Sequence, residues 1–141
     1  MQISADSHLD HGLTDAQVAH IRERFAERDG FFIETFDLPE TLGTVPCGLH
    51  GPLMGDDPVD DSEVTFEVRN GRPCESRLCD REPRLVPTVT VIAGPHGDES
   101  CVLYTAFGGP LAPREAGDPT IPTDEERAES VAFWATHALS R

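Results

Sequence analysis

The side chains best equipped for chemistry in this chain are arginines, and they are unevenly placed. Residues 69 to 84 hold Arg69, Arg72, Arg77, Arg81 and Arg84 against Glu75, Asp80 and Glu82, a local charge of +2 in a chain whose formal net charge is -15. The remainder therefore stands at -17. A guanidinium fork grips a carboxylate or phosphate through two parallel hydrogen bonds, which a mobile ammonium does less well. An acidic protein that needs one anion site would gather arginine in this way, so Arg77, Arg81 and Arg84 are candidate substrate ligands. The competing account is that they pair with carboxylates on neighbouring strands, as surface arginines commonly do with little consequence.

Arg114 adds to the set. It lies just beyond the apolar segment Cys101–Phe107, which ends in Gly108 and Gly109. Paired glycines at a strand end let a ligand approach the backbone, and the hydroxyls of Tyr104 or Thr105 would orient it. Turn chemistry explains the same glycines and prolines without a ligand. For acid–base work the candidate is His50, beside Gly51, Asp56 and Asp57, because histidine titrates near neutrality and a carboxylate partner would fix its tautomer. A histidine base, arginines on an anion and a Tyr or Thr hydroxyl share residue types with metal-independent phosphodiester cleavage, although no spacing motif supports that chemistry.

The cysteines offer a different chemistry. Cys47, His50, Cys74 and Cys79 form a ligand set that zinc accepts, but the tight paired knuckles of structural sites are only half present, and buried thiols also behave as small hydrophobes. No other metal or cofactor is indicated. Walker loops, dinucleotide fingerprints, nucleophile elbows and paired metal-binding histidines on a helix are all missing.

These residues must be carried by a short chain. Its 141 residues read as one α+β domain from residue 13, preceded by a polar tail over 1–12. Thr14 and Gln17 form a capping box for an amphipathic helix over about residues 15–28, with Val18, Ile21 and Phe25 on one stripe. Residues 31–38 read as a strand, followed by a long loop over 39–62 with a short strand near 45–49. Two hairpins follow. In the first, the register that pairs Val64 with Leu78, Phe66 with Ser76 and Val68 with Cys74 keeps the charges off the core face. The second joins 86–93 to 101–107 across a turn at 94–98, and its second strand is apolar enough on both faces to be central. A second long loop covers 108–122. Thr123 and Glu126 then cap a C-terminal helix with an apolar stripe of Ala128, Val131, Trp134, Ala135 and Ala138. The economical architecture is an antiparallel sheet of about five strands, two hairpins and an N-terminal strand, packed with the two helices.

Composition narrows the partners. All eleven basic residues are arginine and there is no lysine, which fits a GC-rich genome or a high-salt cytoplasm equally well. The acidic surplus disfavours long nucleic acid and anionic membrane. With no signal-like N-terminus and no long apolar run, the expectation is a cytoplasmic chain. Three function classes follow. The first is an enzyme or ligand-binding domain for a small phosphate- or carboxylate-bearing molecule. The second is a zinc-stabilised interaction module, and the third an acidic adaptor or inhibitor that mimics a polyanion.

Overall fold

A computed structural model describes residues 1–8, 12–47, 59–68 and 75–140. In chain order the elements are strand β1 (Gln2–His8), helix α1 (Asp15–Arg24), β2 (Phe32–Asp37), β3 (Val45–Pro46), β4 (Thr65–Val68), β5 (Glu75–Cys79), β6 (Leu85–Val86), β7 (Thr88–His96), β8 (Glu99–Gly108), helix α2 (Asp124–Trp134) and β9 (Leu139–Ser140). The mixed α+β class with two helices is as expected. The single sheet of about five strands is not, because the strands form separate sheets of four, two and three. Parallel pairings of β1 with β8 and of β5 with β9 join the antiparallel ones. No helix among the described residues is long and apolar enough to cross a membrane.

The chain divides into two compact units, residues 1–47 with 85–111 and residues 48–84 with 112–141. In the first, the four-stranded sheet runs in the order β1-β8-β7-β2, so β8 is central. Residues read as a polar tail thus supply the β1 edge strand. Alternation buries Val89, Val91 and Ala93 of β7, and a register shift opposite Ile92 and Ala93 brings both Leu103 and Ala106 of β8 into the same core, with Ile21 of α1 and Phe25 just past it. Helix α1 stops earlier than expected. Past Arg24 the chain turns so that the Phe25 ring meets Phe32 at 5.1 Å and Phe36 at 5.5 Å. Arg24 and Arg28 then cover Phe36 and Phe32 respectively, each guanidinium 4.3 Å from the ring centroid.

Gln17 anchors this packing. Its backbone N–H donates to Thr14 Oγ1 at 3.2 Å and its Oε1 accepts from Thr14 N at 2.9 Å, completing the capping box. Its amide nitrogen donates to the carbonyls of Leu42 at 2.8 Å and Thr44 at 3.3 Å, which fixes the loop ahead of β3. The buried stripe of α1 is therefore Gln17, Ile21 and Phe25, with Val18 only half-buried.

The hairpin of β7 and β8 closes more tightly than its sequence implies. His96 pairs with Glu99 around a two-residue turn in which Gly97 takes φ +57°, so Gly94, Pro95 and His96 belong to the strand. Tyr104 lies across Gly94 and its hydroxyl donates to the Pro95 carbonyl.

In the second unit, β4, β5 and β9 form a three-stranded sheet. The β4–β5 register differs from the expected one: Thr65 pairs with Leu78, Phe66 with Arg77, Glu67 with Ser76 and Val68 with Glu75. The reasoning that kept charge off a core face failed because Phe66 and Arg77 share the other face, where Arg77 bonds Asp61 and the His137 carbonyl, while Ser76 and Leu78 take the buried side. Residues 69–74, including Cys74, lie outside the described residues. Helix α2 also presents a different face. Its buried residues are Ser130 and Trp134, whereas Val131 is exposed. Both buried groups carry a donor, and both find carbonyl acceptors: Trp134 Nε1 donates to Pro113 and Arg114, each at 3.2 Å, and Ser130 Oγ donates to Arg114. Docking onto a polar loop, rather than an apolar stripe, sets the rotation of the helix.

Replacing Gln17 with Leu leaves the Leu42 and Thr44 carbonyls and the Thr14 N–H without their partner at a buried position. The expected cost is about 2–4 kcal/mol, read as a lowered urea midpoint with Ile21 and Phe25 unchanged.

Candidate functional site

Two of the four candidate arginines are held by nearby carboxylates. Asp61 and Glu63 begin and end a single turn of 3-10 helix and reach to different arginines. Arg77 Nη2 donates to Asp61 Oδ1 at 3.1 Å, and its Nε to the His137 carbonyl at 3.3 Å. Arg81 makes a bidentate pair with Glu63, at 2.9 Å from Nε and 2.6 Å from Nη2. The Arg81 hydrogen bond and charge hold the Glu63 carboxyl below its ordinary value of 4.5. Arg114 turns back into its own loop and donates to the Thr120 carbonyl at 2.9 Å. Arg84 is exposed, just past β5. Arg77, Arg81 and Arg114 thus each bond to groups of the protein itself.

Arg77 differs in lining a cleft. Its bonds to described residues use Nε and Nη2, so Nη1 has no acceptor among them. Although its side chain is only 13% exposed, it lines a cleft of about 400 Å³ formed by Phe66, Glu75, Arg77, the 115–117 loop and Trp134. Phe66 stands directly opposite Arg77 in the β4–β5 ladder, with the guanidinium 5.8 Å from its ring centroid. The 115–117 loop is fixed from three directions. Ser76 Oγ donates to Glu115 Oε1 at 2.9 Å, Arg127 Nη1 to the Ala116 carbonyl at 3.3 Å, and Asp118 N to the Glu115 carbonyl at 2.9 Å. A preformed cleft with an aromatic wall, one guanidinium and two carboxylates can orient a ligand that carries both apolar and charged parts.

The other sequence candidates lie elsewhere. His50 is outside the described residues. Tyr104, Thr105, Gly108 and Gly109 belong to the first unit and Arg77, Arg81 and Arg114 to the second. The close approach that the paired glycines permit is taken up by their own chain. A Cβ on Gly108 would lie 2.1 Å from the Pro46 carbonyl oxygen, and one on Gly109 would lie 2.4 Å from Cys47 Sγ. Gly109 also needs its φ of +88° and accepts from Thr90 Oγ1 at 2.7 Å. Of the zinc set, His50 and Cys74 are not described, Cys47 is buried in the first unit, and Cys79 packs with Val59 and Ala138 in the second. No group of three or more potential ligands gathers among the described residues.

Sequence reasoning missed Phe66, Glu75, Glu115 and Trp134 as cleft residues. Phe66 and Trp134 read as core, and only the true β4–β5 register puts Phe66 beside Arg77. Comparison adds no outside guide: no family model matches the chain, and no curated protein or solved structure is significantly similar to it.

The lowered Glu63 carboxyl fixes the sign of a pH effect. A folded-state value below the unfolded one gives stability that is present above the unfolded value and lost as pH falls through the folded one. Arg81→Gln should therefore lower the melting temperature at neutral pH, and the gap from wild type should close as pH drops below 4.5. A gap that stays constant through that range would contradict the pairing.

Proposed function

We propose that this protein is a binding domain for a small carboxylate-bearing molecule with an apolar body, held in the cleft of the second unit with its carboxylate on Arg77. The observation that carries the reading is Arg77 itself, a largely covered guanidinium on the cleft wall with Nη1 uncommitted to any described residue. Trp134 and Phe66 supply apolar surface for the body of the ligand. A carboxylate fits better than a phosphate because Glu75, exposed on the same face of β5 as Arg77, lines the same cleft and would repel a dianion more strongly than a monoanion. Arg81 and Arg114 do not line the cleft and are engaged by Glu63 and the Thr120 carbonyl. A general-base role for His50 with Tyr104 or Thr105 draws no support from the geometry of the described residues.

A second reading, an acidic adaptor for a basic partner, is favoured by the pairing of Arg77 and Arg81 inside the fold. Asp61 and Glu63 neutralise these two arginines, so the pair adds no basic patch to a chain of net charge -15. This reading requires binding that weakens steeply with salt.

Trp134 is the sole tryptophan and lines the cleft, so its fluorescence reports occupancy directly. Titration with aryl and alkyl carboxylates should change the emission, and Phe66→Ala and Arg77→Lys should each weaken binding about tenfold. A phosphate ester that binds as tightly as the matched carboxylate would overturn the ligand class. Silence from every member of the panel would overturn the site.

A further inference from the structure

Strand β2 ends the four-stranded sheet of the first unit, so the outward N–H and C=O groups of Phe32–Asp37 have no ladder partner among the described residues. Sheet edges are normally blunted by proline, lysine or a bulge. The β2 sequence Phe-Ile-Glu-Thr-Phe-Asp contains neither residue, and its ladder with β7 runs without a register shift, whereas those of β1 with β8 and of β7 with β8 are irregular. A charge in mid-strand would also guard the edge, but Glu34 is neutralised by Arg28. Phe32 and Phe36 turn toward α1, so alternation puts Phe31 and Ile33 on the opposite face, where they are 64% and 43% exposed.

We propose that this edge pairs with the same edge of a second copy of the chain, antiparallel and about a two-fold axis at Glu34. Self-complementarity selects a second copy as the occupant. Directly opposed residues share a face, so an axis at Glu34 sets Phe32 against Phe36 and Ile33 against Thr35 of the other copy, apolar or β-branched on both sides. Moving the axis to Thr35 sets Ile33 against Asp37 and Glu34 against Phe36, and moving it to Ile33 runs the ladder into the bend at Gly30, whose φ is +72°. At the chosen axis two Glu34 side chains meet with Cβ atoms about 5 Å apart, which alone would repel. Each arrives with Arg28, whose guanidinium lies over Phe32 at 4.3 Å from the ring centroid, so the axis carries two acids, two bases and no net charge. The force that opposes association is the charge of -15 on each whole copy, and salt screens it beyond about 10 Å at 0.1 M. Pairing therefore strengthens as salt rises, the reverse of an acidic adaptor on a basic partner. The edge belongs to the first unit and is independent of the cleft.

Sedimentation velocity on the full chain, over a wide concentration range at about 0.1 M and about 1 M salt, tests the proposal. A dimer should form whose fraction grows with concentration and with salt. Arg28→Gln leaves the two Glu34 carboxylates facing each other and should weaken the dimer about tenfold, and adding Glu34→Gln should restore it. Ile33→Lys, on the exposed face, should also weaken it, whereas Val131→Lys, at a position 53% exposed in the second unit, should not. A dimer indifferent to Ile33→Lys, or one that Arg28→Gln weakens and Glu34→Gln does not rescue, would overturn the interface. A chain that stays monomeric at every concentration and salt would overturn it too, and slow hydrogen exchange at the β2 amides of that monomer would show the edge covered by the chain itself.

Discussion

The second unit depends on the guanidinium of Arg77. Through Nη2 it holds Asp61, and through Nε it holds the His137 carbonyl just past α2, so one side chain on β5 ties together a 3-10 turn, a strand and a helix end. Neighbouring bonds repeat the pattern. Val59 N donates to the Thr136 carbonyl at 2.9 Å, Ser140 Oγ donates to the Arg81 carbonyl at 2.6 Å, and β9 pairs with β5 through Leu78 and Leu139. A planar fork with donors on three nitrogens can serve structure along one edge and remain available along another, which lysine cannot do. The proposed binding role uses that remaining edge.

In both units, polar side chains rather than apolar stripes decide how the long loops dock. Gln17 fixes the segment ahead of β3 by satisfying two carbonyls that would otherwise be costly to bury. Ser130 and Trp134 do the same for the 113–114 carbonyls. Within the second loop, Asp118 is buried and its Oδ1 accepts from Thr120 N at 2.8 Å and Thr120 Oγ1 at 2.6 Å, closing a local turn. Glycine- and proline-rich stretches that read as irregular therefore become fixed walls, and the 115–117 segment can serve as one side of a cleft.

Local signals were legible and long-range ones were not. Thr14, Gln17 and Thr123 announced their helices because caps act over three residues, and the apolar run 101–107 announced a central strand. The β4–β5 register was misread because it was argued from a core face that Phe66 and Val68 do not occupy. Both are exposed, and Arg77 bonds to groups distant in sequence. The strand at the N-terminus was hidden for a related reason, since a parallel edge pairing with β8 leaves no turn signal and needs no apolar run. At Gly108 and Gly109, read as places for a ligand to approach, the space is taken by the 46–47 segment. The cleft was half legible: its arginine stood out by charge, and its aromatic wall depended on a register that sequence did not determine.

The central claim is that Arg77 binds a ligand while it holds the second unit together. Side-chain NMR of the arginine Nε–H groups and the Trp134 indole N–H, followed through titration with an aryl carboxylate, measures this most directly. The account predicts that the Arg77 and Trp134 signals move together and saturate at one concentration while the Arg24 and Arg28 signals of the first unit stay in place. Saturation that moves the first-unit arginines and leaves Arg77 and Trp134 unshifted would contradict it.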